Sequence, residues 1–261
     1  MQYKIITADY QKATDIANQL RQLLEDHQEN DEHFEYLFLI GGDGTFAWGV
    51  TQHAFIPNLK IIGINSGNVG FFSMFSCDCL DQVKKLVERD DFENLCYQKV
   101  DLIDLALNQD HYYSFNDVVF FAKGLLSFDV YIDDNYLEHY RGSGLLFSTK
   151  YGSTGYNKSA NGPIIFPEVN AWIMNELFAQ STSMIHTIHN PIIIPPLAVV
   201  TLKKNNDFRK FRISVDGMEL IDTDQNEQIN LSLIKSEAWV YFACDSQSYI
   251  KKLSSVFLTA Y

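Results

Sequence analysis

Apolar positions in the first third of the chain follow two alternating rhythms. A short β-rich run at 3–7 precedes residues 13–27, where Ile16, Ala17, Leu20, Leu23 and Leu24 form the stripe of an amphipathic helix. Residues 36–40 are uniformly apolar, as in a strand buried on both faces. A loop at 41–45, a helix over 46–55 ending before Pro57 and a strand at 60–64 follow. Residues 80–89 then place Leu80, Val83, Leu86 and Val87 on one helical face. Strand and helix alternating in this way predict a doubly wound α/β domain.

After Asn94 the pattern changes. Segments rich in aromatic and β-branched residues are separated by turn signals at Asn108-Gln109-Asp110, Gly124 and Asp133-Asp134-Asn135. More strands are expected after Ala171, with Asp216-Gly217 as a hairpin turn. Residues 248–258 read as a helix or strand that returns to the first domain. The expected fold class is α/β plus all-β. An N-terminal doubly wound α/β domain spans 1–98, an antiparallel β-sandwich-like domain spans 99–246, and a C-terminal segment, 247–261, packs on the first domain.

Composition narrows the partners. The 261 residues include 33 acidic and 20 basic ones, for a net charge of -13. That balance excludes a nucleic-acid surface, which needs clustered Lys and Arg. A polyanionic ligand must therefore be met by backbone donors, a few basic side chains or a metal, against the overall field. The N-terminus lacks a basic head followed by an apolar run, and no apolar run approaches the roughly 20 residues of a membrane span. No membrane partner is expected, and the cytoplasm is the simplest address. Four cysteines (Cys77, Cys79, Cys96 and Cys244) form no CxxC pair and read as buried or idle thiols.

Chemistry concentrates in four places. The first is Gly41-Gly42-Asp43-Gly44-Thr45, directly behind the apolar strand. Glycines there allow a sharp turn and expose amides at a helix start, which favours phosphate. The loop is not GxxxxGK[ST], and it is not GxGxxG because Ala47 stands where the third glycine belongs. Asp43 repels phosphate, and three roles would account for its presence. It holds a divalent metal, takes a proton from an attacking hydroxyl, or merely caps the helix.

The second place is the loop Asn65-Ser66-Gly67-Asn68-Val69-Gly70-Phe71, also behind a strand; such loops gather at the sheet edge where open α/β folds bind ligands. The third is 143–166, a long stretch rich in Ser, Thr and Gly, which is either a polar surface loop or a functional one. The fourth is Asn116-Asp117, a polar pair in an apolar strand that costs free energy unless partnered.

In this order the four elements resemble the NAD kinase family over most of the chain. The correspondence runs through GGDGT at 41–45, NxGxxGF at 65–71 and the Asn116-Asp117 dipeptide. It also includes the long-loop signature carried by Ser148, Thr149, Gly152, Ser153, Thr154, Tyr156, Gly162 and Pro163. The resemblance implies transfer of a phosphoryl group from ATP or polyphosphate to the adenosine-ribose 2′-hydroxyl of NAD, giving NADP. It makes Asp43 the general base and Gly41, Gly42, Gly44 and Thr45 the phosphate cradle, with Phe46, Asn65 and Tyr151 among the binding residues. Asn116 and Asp117 would hold the adenosine half. Thr154, Gly155, Tyr156 and Ser159 would line the rest of the dinucleotide, across a subunit contact in a homodimer or homotetramer. No side chain is expected to ligate metal, and Mg²⁺ would travel with the donor phosphates.

Departures from the family pattern fall at Ser143, where Arg141-Gly142-Ser143-Gly144 replaces R-G-D-G, and at Lys150, Tyr151 and Gly155. They bear on the nicotinamide-side contacts expected of Arg141 and Ser143, and they make Lys150 a candidate phosphate contact. Two other readings share the loop: a GGDGT-type lipid or sugar kinase, and a non-catalytic NAD or NADP sensor. Labelled ATP with NAD against diacylglycerol separates the first. NAD-dependent stabilisation without NADP formation would favour the second.

Overall fold

A computed structural model describes residues 1–67, 70–89, 96–181, 186–205, 211–220, 228–241 and 246–258. Asn68, Val69 and Cys244, named above, lie outside the described residues. The first stretch runs β1 (Gln2–Thr7), α1 (Gln11–Leu23), β2 (Gln28–Glu29), β3 (Tyr36–Gly41), α2 (Asp43–His53), β4 (Lys60–Asn65), β5 (Phe75–Ser76), α3 (Leu80–Arg89) and β6 (Tyr97–Gln98). Strands β7 (Asp101–Leu107), β8 (Asp110–Ser114), β9 (Asp117–Ile132) and β10 (Asn135–Ser148) follow, then the short α4 (Tyr156–Ser159). The remainder is β11 (Trp172–Leu177), β12 (Ile192–Ile194), β13 (Val200–Lys203), β14 (Arg212–Val215), β15 (Met218–Leu220), β16 (Gln228–Lys235), β17 (Trp239–Tyr241) and α5 (Ser246–Phe257).

Two compact units result: Met1–Val100 with Ser236–Tyr261, and Asp101–Lys235. In the first, the strand order is β2-β1-β3-β4-β17-β6, parallel except for β6 against β17, and β5 also pairs with β4. All six residues of β3 are buried, which is why its sequence carries no alternation. The α1 stripe (Ala13, Ile16, Ala17, Leu20) packs into this core, and so do Leu80, Val83, Leu86 and Val87 of α3. The chain re-enters this unit at Ser236, earlier than the expected 247, because Trp239 to Tyr241 extend the parallel sheet beside Lys60 to Ile62. In α5, the Tyr249 ring meets Phe71 edge-on at 5.4 Å.

The second unit is one antiparallel network, β12-β11-β10-β9-β13-β16-β7-β8, with the β14–β15 hairpin branching from β9. The network forks at β9, and one apolar core takes side chains from β7, β9, β10, β11, β13, β14 and β16. Val215 pairs with Met218, and Asp216 and Gly217 have φ of 48° and 81°, so the expected tight hairpin turn is present. Gly124 is not a turn. Strand β9 runs through it, and the pairing jumps from Gly142↔Leu126 to Gly144↔Phe121, so the glycine lies in a bulge. Cys77 and Cys79 are free thiols, but Cys96 is disulfide-bonded, contrary to the expectation for that residue. Among the described residues no helix is long and apolar enough to cross a membrane.

Candidate functional site

The glycine loop closes β3 and opens α2, with Gly42 as the capping residue and Asp43 as the first helical one. A Cβ built on Gly42 or Gly44 meets no protein atom within 4 Å, so both backbones stay open to close approach. Asp43 does not cap the helix. Its Oδ1 accepts the Phe71 and Phe72 amides at 2.9 and 3.1 Å, and its Oδ2 shares the Phe71 amide at 3.0 Å. The first glycine loop is thereby tied to the second.

Lys252 of α5 holds that second loop through other atoms, donating to Gly70 O at 3.0 Å and Ser73 O at 2.6 Å. Burial pulls the Lys252 ammonium down in pKa, and the Asp43 charge opposes this. Asn65, at the end of β4, accepts the Gly67 amide at 3.0 Å. Phe46 is fully buried and stacks on Phe72 at 5.7 Å, so it supports the loop from inside and presents no ligand surface.

In the second unit, the Asp216 carboxylate organises Asn116-Asp117. Its Oδ1 accepts Ser114 Oγ at 2.7 Å and the Asn116 and Asp117 amides at 2.7 and 3.1 Å; its Oδ2 accepts the Phe115 amide at 2.8 Å. Asp117 is 9% exposed, and burial, with the nearby Asp216 charge second, pushes its carboxyl up to about 7. Asn116 Oδ1 is buried with no hydrogen-bond partner. Such an orphaned acceptor is costly unless a ligand donates to it.

The long loop folds onto the same segment. Thr149 donates its amide to Asn116 O at 2.9 Å and its hydroxyl to Phe115 O at 2.6 Å. Any Cβ on Gly152 would collide with the Asn116 backbone, so only glycine allows this approach. A cavity of about 590 Å³, in the range of small-molecule sites, is lined by Asn116, Asp117, Ser143 and Tyr156 together with Phe178 and Asp216.

Other expected binding residues lie elsewhere. Thr154 is buried, while Gly155 and Ser159 are exposed, and none of the three borders this cavity. Nor does Arg141, whose carbonyl accepts the Gln180 amide at 2.7 Å. Tyr151 is buried and stacks on Phe115 at 4.8 Å. Lys150, expected to reach phosphate, is only 7% exposed. Its ammonium donates to Pro167 O at 2.8 Å and lies 3.3 Å from Asp101, which also pairs with Lys235. A lysine on a buried acidic partner is not available to a ligand, so that candidate contact is withdrawn.

In the sequence Asp216 reads only as a turn; the available signal was a carboxylate at a left-handed position beside a polar pair. Ser127, His139 and Asp129 are bonded in the order of a hydrolase triad, at 3.3 and 2.7 Å, but Ser127 is buried and its hydroxyl also accepts Asn205 Nδ2 at 3.0 Å. Among the described residues, no group of three or more His, Cys, Asp or Glu side chains is placed to hold a metal.

A glycine loop at a helix start and a ligand-sized cavity in a β unit are the build of a small-molecule phosphotransferase. Similarity to known proteins makes this specific. The family profile for the ATP-NAD kinase C-terminal domain matches residues 116–245. NAD kinase of Mycoplasma genitalium is 30% identical over 263 residues, covering 99% of both chains. That of Mycoplasmoides gallisepticum is 33% identical over 228 residues, 86% of this chain and 81% of the relative. The chain belongs to the NAD kinase family. Its fold is shared with yeast NADH kinase solved with NADH (TM-score 0.79, 19% identity, 100% of this chain and 89% of that one). It is shared too with an Archaeoglobus fulgidus NAD kinase solved with ATP (TM-score 0.77, 17% identity, 98% and 100%).

Proposed function

We propose that this chain phosphorylates NAD at its adenosine-ribose 2′-hydroxyl, with ATP or polyphosphate as donor, to give NADP. The observation that carries the reading is the cavity wall at Asn116-Asp117. An orphaned acceptor and a carboxyl raised to about 7 stand side by side there, fixed by Asp216 and inside the segment that matches the family profile. Such groups recognise the ribose hydroxyls and base edge of an adenosine, offering an acceptor and, when protonated, a donor.

Asp43 acts as the general base. A sugar hydroxyl is a very weak acid, so the carboxylate becomes effective only late, as the new P–O bond forms. The open amides at Gly42 and Gly44, with Gly41 and Thr45, cradle the donor phosphates. Both Asp43 oxygens already accept amides, which fits a metal carried by the phosphates better than one ligated by the chain. Mg²⁺ so carried supplies counter-charge to the transferring group. Tyr156 and the exposed Gly155 and Ser159 contact the remainder of the dinucleotide across a homodimer or homotetramer contact, Thr154 shapes their loop, and Arg141 and Ser143 serve the nicotinamide side. The cytoplasm is the proposed location.

The test is NADP formation from NAD with MgATP or polyphosphate, read by a coupled dehydrogenase, for the wild type beside Asp43→Asn. Dinucleotide-dependent turnover that Asp43→Asn cuts by about 10²–10⁴ is the expected result. Absence of NADP with every donor overturns the reading.

A further inference from the structure

Among the described residues Phe178 is the most exposed of the large aromatic side chains at 86%, and it has a φ of 49°, a left-handed conformation that a bulky residue adopts only when its surroundings impose it. Here they do. On one side, Leu177 ends β11 and its carbonyl accepts the Tyr140 hydroxyl at 3.2 Å. On the other, the Gln180 amide donates to Arg141 O at 2.7 Å. Between these anchors Ala179 packs onto the core, and a Cβ at Gly142 would crowd both the Tyr140 hydroxyl and the Ala179 Cα, so glycine at 142 lets these segments come together. With 177, 179 and 180 all held, the backbone has no freedom to bury residue 178.

The ring is thus directed outward at the edge of the 590 Å³ cavity, which it lines together with Tyr156, itself 49% exposed. Two exposed aromatic rings on one cavity that also contains Asn116 and Asp117 offer flat faces beside hydrogen-bonding groups. A fold that fixes an apolar ring in a strained conformation and leaves it in water gains stability from neither feature, so the arrangement points to a ligand that covers the ring.

We infer that Phe178 is a substrate-binding residue whose ring stacks on a planar heteroaromatic base of the acceptor dinucleotide. The inference rests on reading the cavity as the dinucleotide site. Stacking needs a flat π-surface and no particular hydrogen-bond pattern, so tryptophan should serve in its place and alanine should not.

The test is calorimetric titration of NAD into the full chain, with melting curves and light scattering on the same samples. Phe178→Ala should weaken NAD about tenfold, and Phe178→Trp should stay within about threefold of wild type. Phe178→Gly should bind NAD as weakly as Phe178→Ala yet melt at a higher temperature, because glycine takes the left-handed backbone without a steric cost. NAD binding by Phe178→Ala at wild-type strength overturns the inference. So does a loss of affinity that appears only with a fall in assembly mass, which would make a second copy of the chain the ring's cover. If the wild type binds NAD through Phe178 but forms no NADP, the kinase reading fails and the stacking stands. If Phe178→Ala makes NADP with an unchanged KM for NAD, the stacking fails and the kinase reading stands.

Discussion

Asp43 opens a helix and Asp216 sits in a hairpin turn, and each carboxylate accepts backbone amides from a segment far away in sequence. Their saturation differs. Asp216 Oδ1 takes three donors and Oδ2 one, all from residues 114–117. Among the described residues Asp43 accepts two amides, with Oδ2 sharing one of them. A carboxylate oxygen has about two lone-pair sites. Asp216 is therefore committed to shaping the Asn116-Asp117 wall, whereas Asp43 stays anchored with acceptor capacity left for a proton. Both read as loop aspartates in sequence, and the donors they accept set the proposed base apart from the brace.

The largest effect should come from Asp43→Asn. The new amide oxygen can still accept the Phe71 and Phe72 N–H groups, so the loop is kept while the base is lost. Turnover should fall by about 10²–10⁴, the usual worth of a general base, with NAD affinity by calorimetry within about threefold of wild type on the same reasoning. Turnover close to normal would remove Asp43 from the chemistry.

Asp216→Asn should invert the pattern. An amide oxygen in the place of Oδ1 keeps three donors, but the Phe115 N–H then faces an NH₂ group and is left unpaired, at roughly 1–3 kcal/mol. A stability loss of about 2–3 kcal/mol and weaker NAD binding are expected, with kcat at saturating NAD much less affected than by Asp43→Asn. If kcat instead falls as far as in Asp43→Asn at unchanged affinity, the division between base and brace is wrong.

Lys252 sharpens the contrast, because it holds the 70–73 loop that anchors Asp43 and its ammonium also feels the Asp43 charge. Lys252→Met removes the donors to Gly70 O and Ser73 O while keeping the aliphatic length. A loss of about 1–2 kcal/mol in stability and a several-fold fall in kcat should result, with KM for NAD little changed. Lys252→Arg should restore most of the turnover. Equal loss in both variants would mean the helix matters for packing alone.

Legibility followed the range of the interactions. The α/β unit could be read because its signals are local: a wholly buried β3 has no alternation, and α1 and α3 keep their stripes. Asn116-Asp117 was legible as a polar pair needing partners, but the partner lies about a hundred residues on, and no local pattern announces that the Asp216 carboxylate turns back on it. Lys150, Tyr151 and Phe46 show the converse. Family resemblance locates a position but not the direction of its side chain, and Asp101, Phe115 and Phe72 draw these three inward. Gly124 misled because a glycine between β-rich runs reads as a turn or a bulge alike, and only the jump in register decides.

The smallest effect on activity should come from protonation, which distinguishes the wall from the glycine loop by pH. Burial raises the Asp117 carboxyl from 3.8 to about 7. Burial also raises Glu138, and Glu176 beside it adds to this. Asp216 faces the first group; Glu176 and Tyr140 adjoin the second. A raised carboxyl keeps its proton in the folded chain where the unfolded chain has lost it. The contribution is therefore fully present below pH 4, declines as pH rises toward about 7 at no more than roughly 1.4 kcal/mol per pH unit for each group, and is constant above. Asp117→Asn and Glu138→Gln remove that titration. Each should melt less differently between pH 5 and pH 8 than the wild type, and each should gain on it most at pH 8. Parallel melting profiles for the wild type and both variants would mean that these carboxyls ionise normally, and the wall at Asn116-Asp117 would then carry full negative charge at neutral pH.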